Sequence, residues 1–187
     1  MNLAQYLPLA LRTEKKLPTA QERLEHALLG LITETGEIAT EVKRMAIYGK
    51  PLDDARRAHI AEEIGDVLWY LAIGADVVEP RIFLEYVDIP VWDTEVEMPG
   101  IKLTCMAMGS VVGDLVDHVM SGDHGEVPAL LDNALKICWC YAQLIGIPLG
   151  QIAADNIAKL QERFPDAYSN EAAEARADKG GLDARNS

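Results

Sequence analysis

Basic residues are scarce in this chain. Lys and Arg number 17 against 30 Asp and Glu, a formal charge of −13 over 187 residues. A protein that holds nucleic acid through basic contacts needs the opposite balance, because phosphate is repelled at long range. The same surplus of acid argues against recruitment to an anionic membrane surface. Cysteine is sparse too. There are three, and Cys138 and Cys140, two apart, point to different sides of a helix. A disulfide scaffold is excluded, and a reduced, cytoplasmic protein is expected. No apolar run reaches the roughly 18 residues of a membrane-spanning helix, so no membrane segment is expected. The short apolar patch at residues 6–11 contains Pro8 and soon meets Glu14, Lys15 and Lys16, unlike a signal peptide. Finally, none of His26, His59, His118 and His124 follows a carboxylate by three residues. That removes the Glu-x-x-His pairs on which di-iron carboxylate bundles rely.

What is present is helical periodicity. Residues 1–18 read as a short arm with one helical turn. Thr19 and Glu22 form a capping-box pair. Leu24, Leu28, Leu31, Ile38, Val42 and Met45 then recur at three- and four-residue steps to about Ile47. Gly49-Lys50-Pro51 stops this helix, and Asp53 or Asp54 caps a second, running to about Val78. Residues 79–100, broken by Pro80, Pro90 and Pro99, read as a crossover or lid with an extended stretch ending at Trp92. Helices return at about 101–120, 127–145 and 149–163. The expected fold is all-α: a four-helix bundle of two αα-hairpins, about 19–78 and 101–145, plus a fifth helix. It forms a single domain at 1–168, followed by a flexible polar tail at 169–187.

The hairpins show a trace of internal repetition. Gly36-Glu37-Ile38 and Val42 align with Gly113-Asp114-Leu115 and Val119 at an offset of 77, and Leu68-Trp69 aligns with Cys138-Trp139 at an offset of 70. The difference falls in the turn, where length is tolerated.

The chemistry concentrates in the first hairpin. Glu34-x-x-Glu37 lies on its first helix and Glu63-x-x-Asp66 on its second. Residues three apart on a helix share a face, about 5–6 Å apart. These acids border the apolar stripe, so antiparallel packing gathers four carboxylates near the core. Such a cluster is strongly unfavourable unless a cation neutralises it, and hard oxygen donors select Mg²⁺ or Mn²⁺ over zinc. Gly36 and Gly65 sit inside the two motifs, where Gly costs about 1 kcal/mol against Ala. A close approach of the two backbones is the expected reason. In the second hairpin the corresponding positions are Val111, Asp114, Asn133 and Lys136. If the repeat is real, Lys136 points towards the interior near the metal side, where it can hold a phosphate. The competing reading is a helical scaffold with solvated acids.

Taken in order, Glu34-x-x-Glu37, a spacer, Glu63-x-x-Asp66, then Asn156-x-x-Lys159-Leu160 and Arg163 resemble the MazG-like family of all-α nucleoside triphosphate pyrophosphohydrolases. Tyr6 and Arg12-Thr13 are similar to the opening of its phage-type members. Thr33 stands where many members have a further Glu. The stretch 79–146, which minimal members lack, is similar to the dimeric dUTPase branch with two hairpins in one chain. The resemblance implies hydrolysis of a nucleoside triphosphate between the α- and β-phosphates, to a monophosphate and pyrophosphate, in a homodimer or homotetramer. It implies that Glu34, Glu37, Glu63 and Asp66 bind Mg²⁺, with Glu37 or Glu34 as general base. It further implies that Asn156, Lys159 and Arg163 contact ribose and phosphate, one amide and two cations on a single helical face. Trp69, Tyr70, Tyr48 and Trp92 are candidates to stack on a base, with His26 or His118 as polar readers. The MazZ-type branch, stepwise conversion of dGTP to dGMP for modified phage DNA, is the alternative chemistry.

Overall fold

The computed structural model describes residues 1–84, 100–166, 168–170 and 173. Trp92, the extended stretch before it and most of the expected tail lie outside the described residues. The described residues form seven helices: α1 (Leu3–Leu11), α2 (Ala20–Ala46), α3 (Asp54–Val78), α4 (Arg81–Leu84), α5 (Ile101–Ser121), α6 (Val127–Ile145) and α7 (Leu149–Arg163). The described part of the chain is all-α.

The ends of the helices follow local chemistry. Thr19 accepts from the Glu22 N–H and the Glu22 side chain reaches back to Thr19, so both halves of the capping box are made. Asp53 caps α3 by accepting from Arg56 N at 2.8 Å. Gly122 and Gly146 close α5 and α6 in the left-handed region, at φ +77° and +71°.

The long helices pack in a ring: α2 on α3, α3 on α6, α6 on α5, and α5 back on α2. Leu31, Ile38, Ile64, Leu68, Leu71, Met108, Leu115, Leu135 and Cys138 fill its centre, essentially inaccessible to water. The first hairpin is pinned by a buried carboxylate, since Glu41 on α2 accepts from Arg56 Nε on α3 at 2.8 Å. α3 is the central element. It buries residues on almost every side because α1, α4 and α7 pack on it as well as α2 and α6.

Two features depart from the sequence reading. The N-terminal arm is a core helix. Asn2 and Gln5 form a second capping box, and Leu3, Tyr6, Leu7 and Ala10 are buried against α3, α4 and α7. Pro8 interrupts the pattern without breaking it, because it sits on the exposed side. The crossover begins with a short helix, α4, whose Phe83 is fully buried against the Tyr6 ring. α5 has the length and apolar composition of a membrane-crossing helix. It nevertheless carries Lys102, Asp114 and Asp117, and packs on α2 and α6 along Thr104, Met108, Val112, Leu115 and Val119.

α7 turns sharply from α6, by 101°, and lies across α3 and α1. Arg12, just past α1, donates to the carbonyls of Phe164, Pro165 and Asp166. The Met1 amine donates to Gly150 O at 3.2 Å. Both ends of α7 are thus tied to the beginning of the chain, and α7 is fixed over the acid-bearing part of α3.

Candidate metal centre and nucleotide cleft

Glu34 of α2 and Glu63 and Asp66 of α3 each offer a carboxylate oxygen, and these atoms lie within 4.8 Å of one another. Glu63 is buried and Glu34 and Asp66 are half-buried. A second group shares Glu63 and adds Glu37 and His59, again within 4.8 Å. His59 Nδ1 is 3.2 Å from Glu63 Oε1. The four acids anticipated from the sequence thus fall in two groups that share Glu63. His59 was not anticipated, although its signal was present: it precedes Glu63 by four residues and shares its face.

So many like charges cannot all be ionised unaided. Burial pushes the Glu63 carboxyl up to about 8, helped by the charges of Asp66, Glu37 and Glu34. Burial also raises Glu34, partly countered by the Thr33 hydroxyl, which donates to Glu34 Oε1 at 3.0 Å. Asp66 is neutralised differently. Lys159 Nζ on α7 reaches both of its oxygens at 2.6 Å, and Glu62 at 3.3 Å. The Lys159 ammonium on Asp66 answers part of the charge that a divalent cation would answer for the whole group. The donor set, three carboxylates whose hard oxygen atoms lie within 4.8 Å of one another, fits such an ion.

The acids open onto a cavity of about 470 Å³. Its walls carry Glu34, Glu37, Glu63 and Asp66 at one end, Lys15 and Arg163 as cations, and Trp69, Tyr70, His26, Phe164 and Tyr168 as aromatics. The Trp69 indole is held in place, donating to Ala10 O at 3.1 Å and Thr13 Oγ1 at 3.0 Å. Tyr70 meets it edge-on at 4.8 Å, and His26 meets both rings edge-on. The Tyr70 ring lies where a side chain on Gly30 would have to be, so Gly30 is required by this wall. His26 Nδ1 is buried without a hydrogen-bond partner among the described residues.

The remaining expected site residues divide between this cavity and other places. Arg163 and Trp69 line the cavity. Asn156 and Lys159 lie behind Asp66 instead, lining a separate cavity of about 230 Å³ with Gly65 and Glu62. Their side chains are engaged with Asp66: Asn156 Nδ2 donates to Asp66 Oδ1 at 2.8 Å. Lys136 does not join the centre. It is half-exposed on α6 and pairs with Asp132 one turn away at 2.6 Å. A lysine whose stem can reach water takes its charge there, which the alignment of hairpins could not register. Tyr48 is exposed at the end of α2, and His118 is on α5 beside Asp123 O. The two glycines also have different reasons. Nothing lies within 4 Å of a Cβ on Gly36, whereas one on Gly65 would meet Asn156 Cβ at 3.0 Å. Gly65 therefore admits a side chain from α7; close contact between the two hairpin backbones is not the cause.

Residues 22–87 match the MazG nucleotide pyrophosphohydrolase domain. The match spans a little over a third of the chain and contains every carboxylate of the centre, but neither α1 nor α7. It supports a MazG-like assignment and, at the level of the family, hydrolytic chemistry on nucleotides. No curated protein and no solved structure matches the chain significantly.

Proposed function

We propose that this chain is a metal-dependent nucleoside triphosphate pyrophosphohydrolase that cleaves between the α- and β-phosphates, releasing a monophosphate and pyrophosphate. The observation that carries it is one cavity holding three ligand types: clustered carboxylates, cations and an aromatic wall. A nucleotide has the same three parts, namely a metal-chelating phosphate chain, negative charge and a planar base. Mg²⁺ or Mn²⁺, when bound, neutralises the phosphates and makes a bound water more acidic.

The chain's own groups divide the remaining work. Glu34, Glu63 and Asp66 form the tight ligand group. Glu37 is exposed at the cleft in the neighbouring group, so it is the acid left to take the proton from the attacking water. Arg163 and Lys15 meet the phosphate chain, arginine offering a planar fork and lysine a point charge. Trp69 and Tyr70 form the base wall. Asp66 also accepts from Lys159, so an ion and substrate bound here would share or exchange that contact.

We read the helical ring as the two-hairpin bundle of the dimeric dUTPase branch, making residues 1–168 one domain in a cytoplasmic homodimer or homotetramer. The reading is supported by apolar side chains on α5 that face water, with Leu103 58%, Met106 63% and Met120 82% exposed. A panel of nucleoside triphosphates with Mg²⁺, with products resolved, tests the reaction. Monophosphate plus pyrophosphate is expected. Successive release of orthophosphate points to the stepwise dGTP route of the MazZ type. No turnover of any nucleotide, with Tm insensitive to Mg²⁺ and Mn²⁺, leaves only a helical scaffold.

A further inference from the structure

Among the described residues, Asp66 is a candidate ligand held from behind by two side chains of α7. Its Oδ1 accepts from both Asn156 Nδ2 (2.8 Å) and Lys159 Nζ (2.6 Å), and its Oδ2 accepts from Lys159 Nζ (2.6 Å). A carboxylate oxygen has two acceptor sites. Among the described residues Oδ1 is therefore filled, and the open acceptor of Asp66 is on Oδ2.

The Asn156 amide does this only in one of its two orientations. Flipped, it would set its carbonyl oxygen against the carboxylate. The orientation is decided one step further back. The Tyr6 hydroxyl donates to Asn156 Oδ1 at 2.7 Å. Its other acceptor, Gly65 O, is 3.5 Å away, too long to compete. A phenol proton pointed at Oδ1 forces the NH₂ towards Asp66. Tyr6 is itself immobile: it is completely buried on α1, with its ring against Phe83 at 6.3 Å. Burial, and then the charge of Asp66, keeps the phenol protonated. Gly65 supplies an independent sign that the arrangement is built. A Cβ there would press on Asn156 at 3.0 Å from Cβ and 3.1 Å from Nδ2, so the residue preceding Asp66 lacks a side chain where the amide must pass.

We infer that Tyr6 is a positioning residue for the metal centre: through the Asn156 amide it sets which oxygen of Asp66 is left open for the ion. The inference rests on the metal-centre reading above. It extends that centre beyond residues 22–87, to a side chain from α1 acting through one from α7.

The test is a Mn²⁺ titration of the full-length chain without nucleotide, by calorimetry or by the free-ion electron-spin signal. Four proteins are compared: the natural chain, Tyr6→Phe, Asn156→Ala and the double variant, with Tm recorded for each. Loss of an outer partner of a ligand typically weakens metal binding roughly 10- to 100-fold, and Tyr6→Phe is expected at the lower end, about 10-fold. Asn156→Ala weakens binding at least as much. The double variant binds no more weakly than Asn156→Ala alone, because the hydroxyl acts only through the amide. Natural affinity in Tyr6→Phe overturns the inference. So does a Tyr6→Phe loss that recurs in full on the Asn156→Ala background, which would make the effect one of packing. Failure of the natural chain to bind Mn²⁺ at all is a different result: it removes the metal-centre reading and the inference with it.

Discussion

In the first hairpin, α2 and α3 bring Glu34, Glu63 and Asp66 together at one point. In the second, the positions that align with the four acids are Val111, Asp114, Asn133 and Lys136. Val111 packs on the core, Asp114 and Asn133 face water, and Lys136 pairs with Asp132. Both helix pairs, α2 with α3 and α5 with α6, contribute to the same helical ring, and both carry open mid-helix glycines, Gly36 in one and Gly113 in the other. What separates them is the layer outside the ring. α1 and α7 both lie on α3, bringing Asn156, Lys159 and Tyr6 up to its acids. Carboxylates can border a core only where something answers their charge, so the site is where the third layer is.

Substitutions on the two sides of this comparison should give very different results. The largest effect is expected from Glu63→Gln. It should weaken Mn²⁺ binding by more than the roughly 100-fold upper range for outer partners and abolish turnover. Asp114→Asn in the second hairpin should leave both within a few-fold. An Asp114→Asn variant as inactive as Glu63→Gln would mean that the second hairpin also carries chemistry. Next is Glu37→Gln. It should cost kcat about 10²- to 10⁴-fold, the range of a general base, while the Mn²⁺ affinity stays close to natural. Equal losses of affinity and kcat would make Glu37 a ligand instead.

The third expected effect is on stability. In the metal-free chain Glu63 holds its proton up to about pH 8, against an ordinary value of 4.5. Folding therefore takes up a proton between these values, and stability falls as pH rises through that window. Mg²⁺ or Mn²⁺ should remove the slope and add about 2.7 kcal/mol at a hundred times Kd. A Tm that rises from pH 5 to 8 without metal would contradict the buried, repelled carboxyl. The smallest effect separates the glycines. Gly36→Ala and Gly113→Ala should each stabilise by up to about 1 kcal/mol, since a Cβ meets nothing there. Gly65→Ala should destabilise and weaken Mn²⁺ binding, because its Cβ must displace Asn156.

The sequence carried the helices and the acids because both depend on spacing along one element. The five helices from Ala20 onward that were expected fall within a residue or two of their observed ends, and α2 and α3 are capped by the residues that the spacing indicated. What it could not carry were relations across elements. Asn156 and Lys159 share a helical face, yet their spacing does not say whether that face meets a phosphate or the back of Asp66. Lys136 had an aligned partner position but no means of showing that Asp132, four residues earlier, would hold it. α1 was understated because nine residues with an internal proline look weak alone. Their burial comes from α3, α4 and α7, none of which is near in sequence before the chain folds.

The Tyr6 to Asn156 contact closes a loop of 150 residues, with the Arg12 bonds to residues 164–166 beside it. Contacts of such separation form late, since the chain must give up most of its freedom before they can be made. On that ground the acids of α2 and α3, joined by a short turn, are expected to meet before α7 and α1 dock. A refolding experiment should therefore show two clocks, with helical signal returning before Mn²⁺ binding does. Under native conditions, amide exchange should release α1 and α7 together, below the threshold for opening the ring.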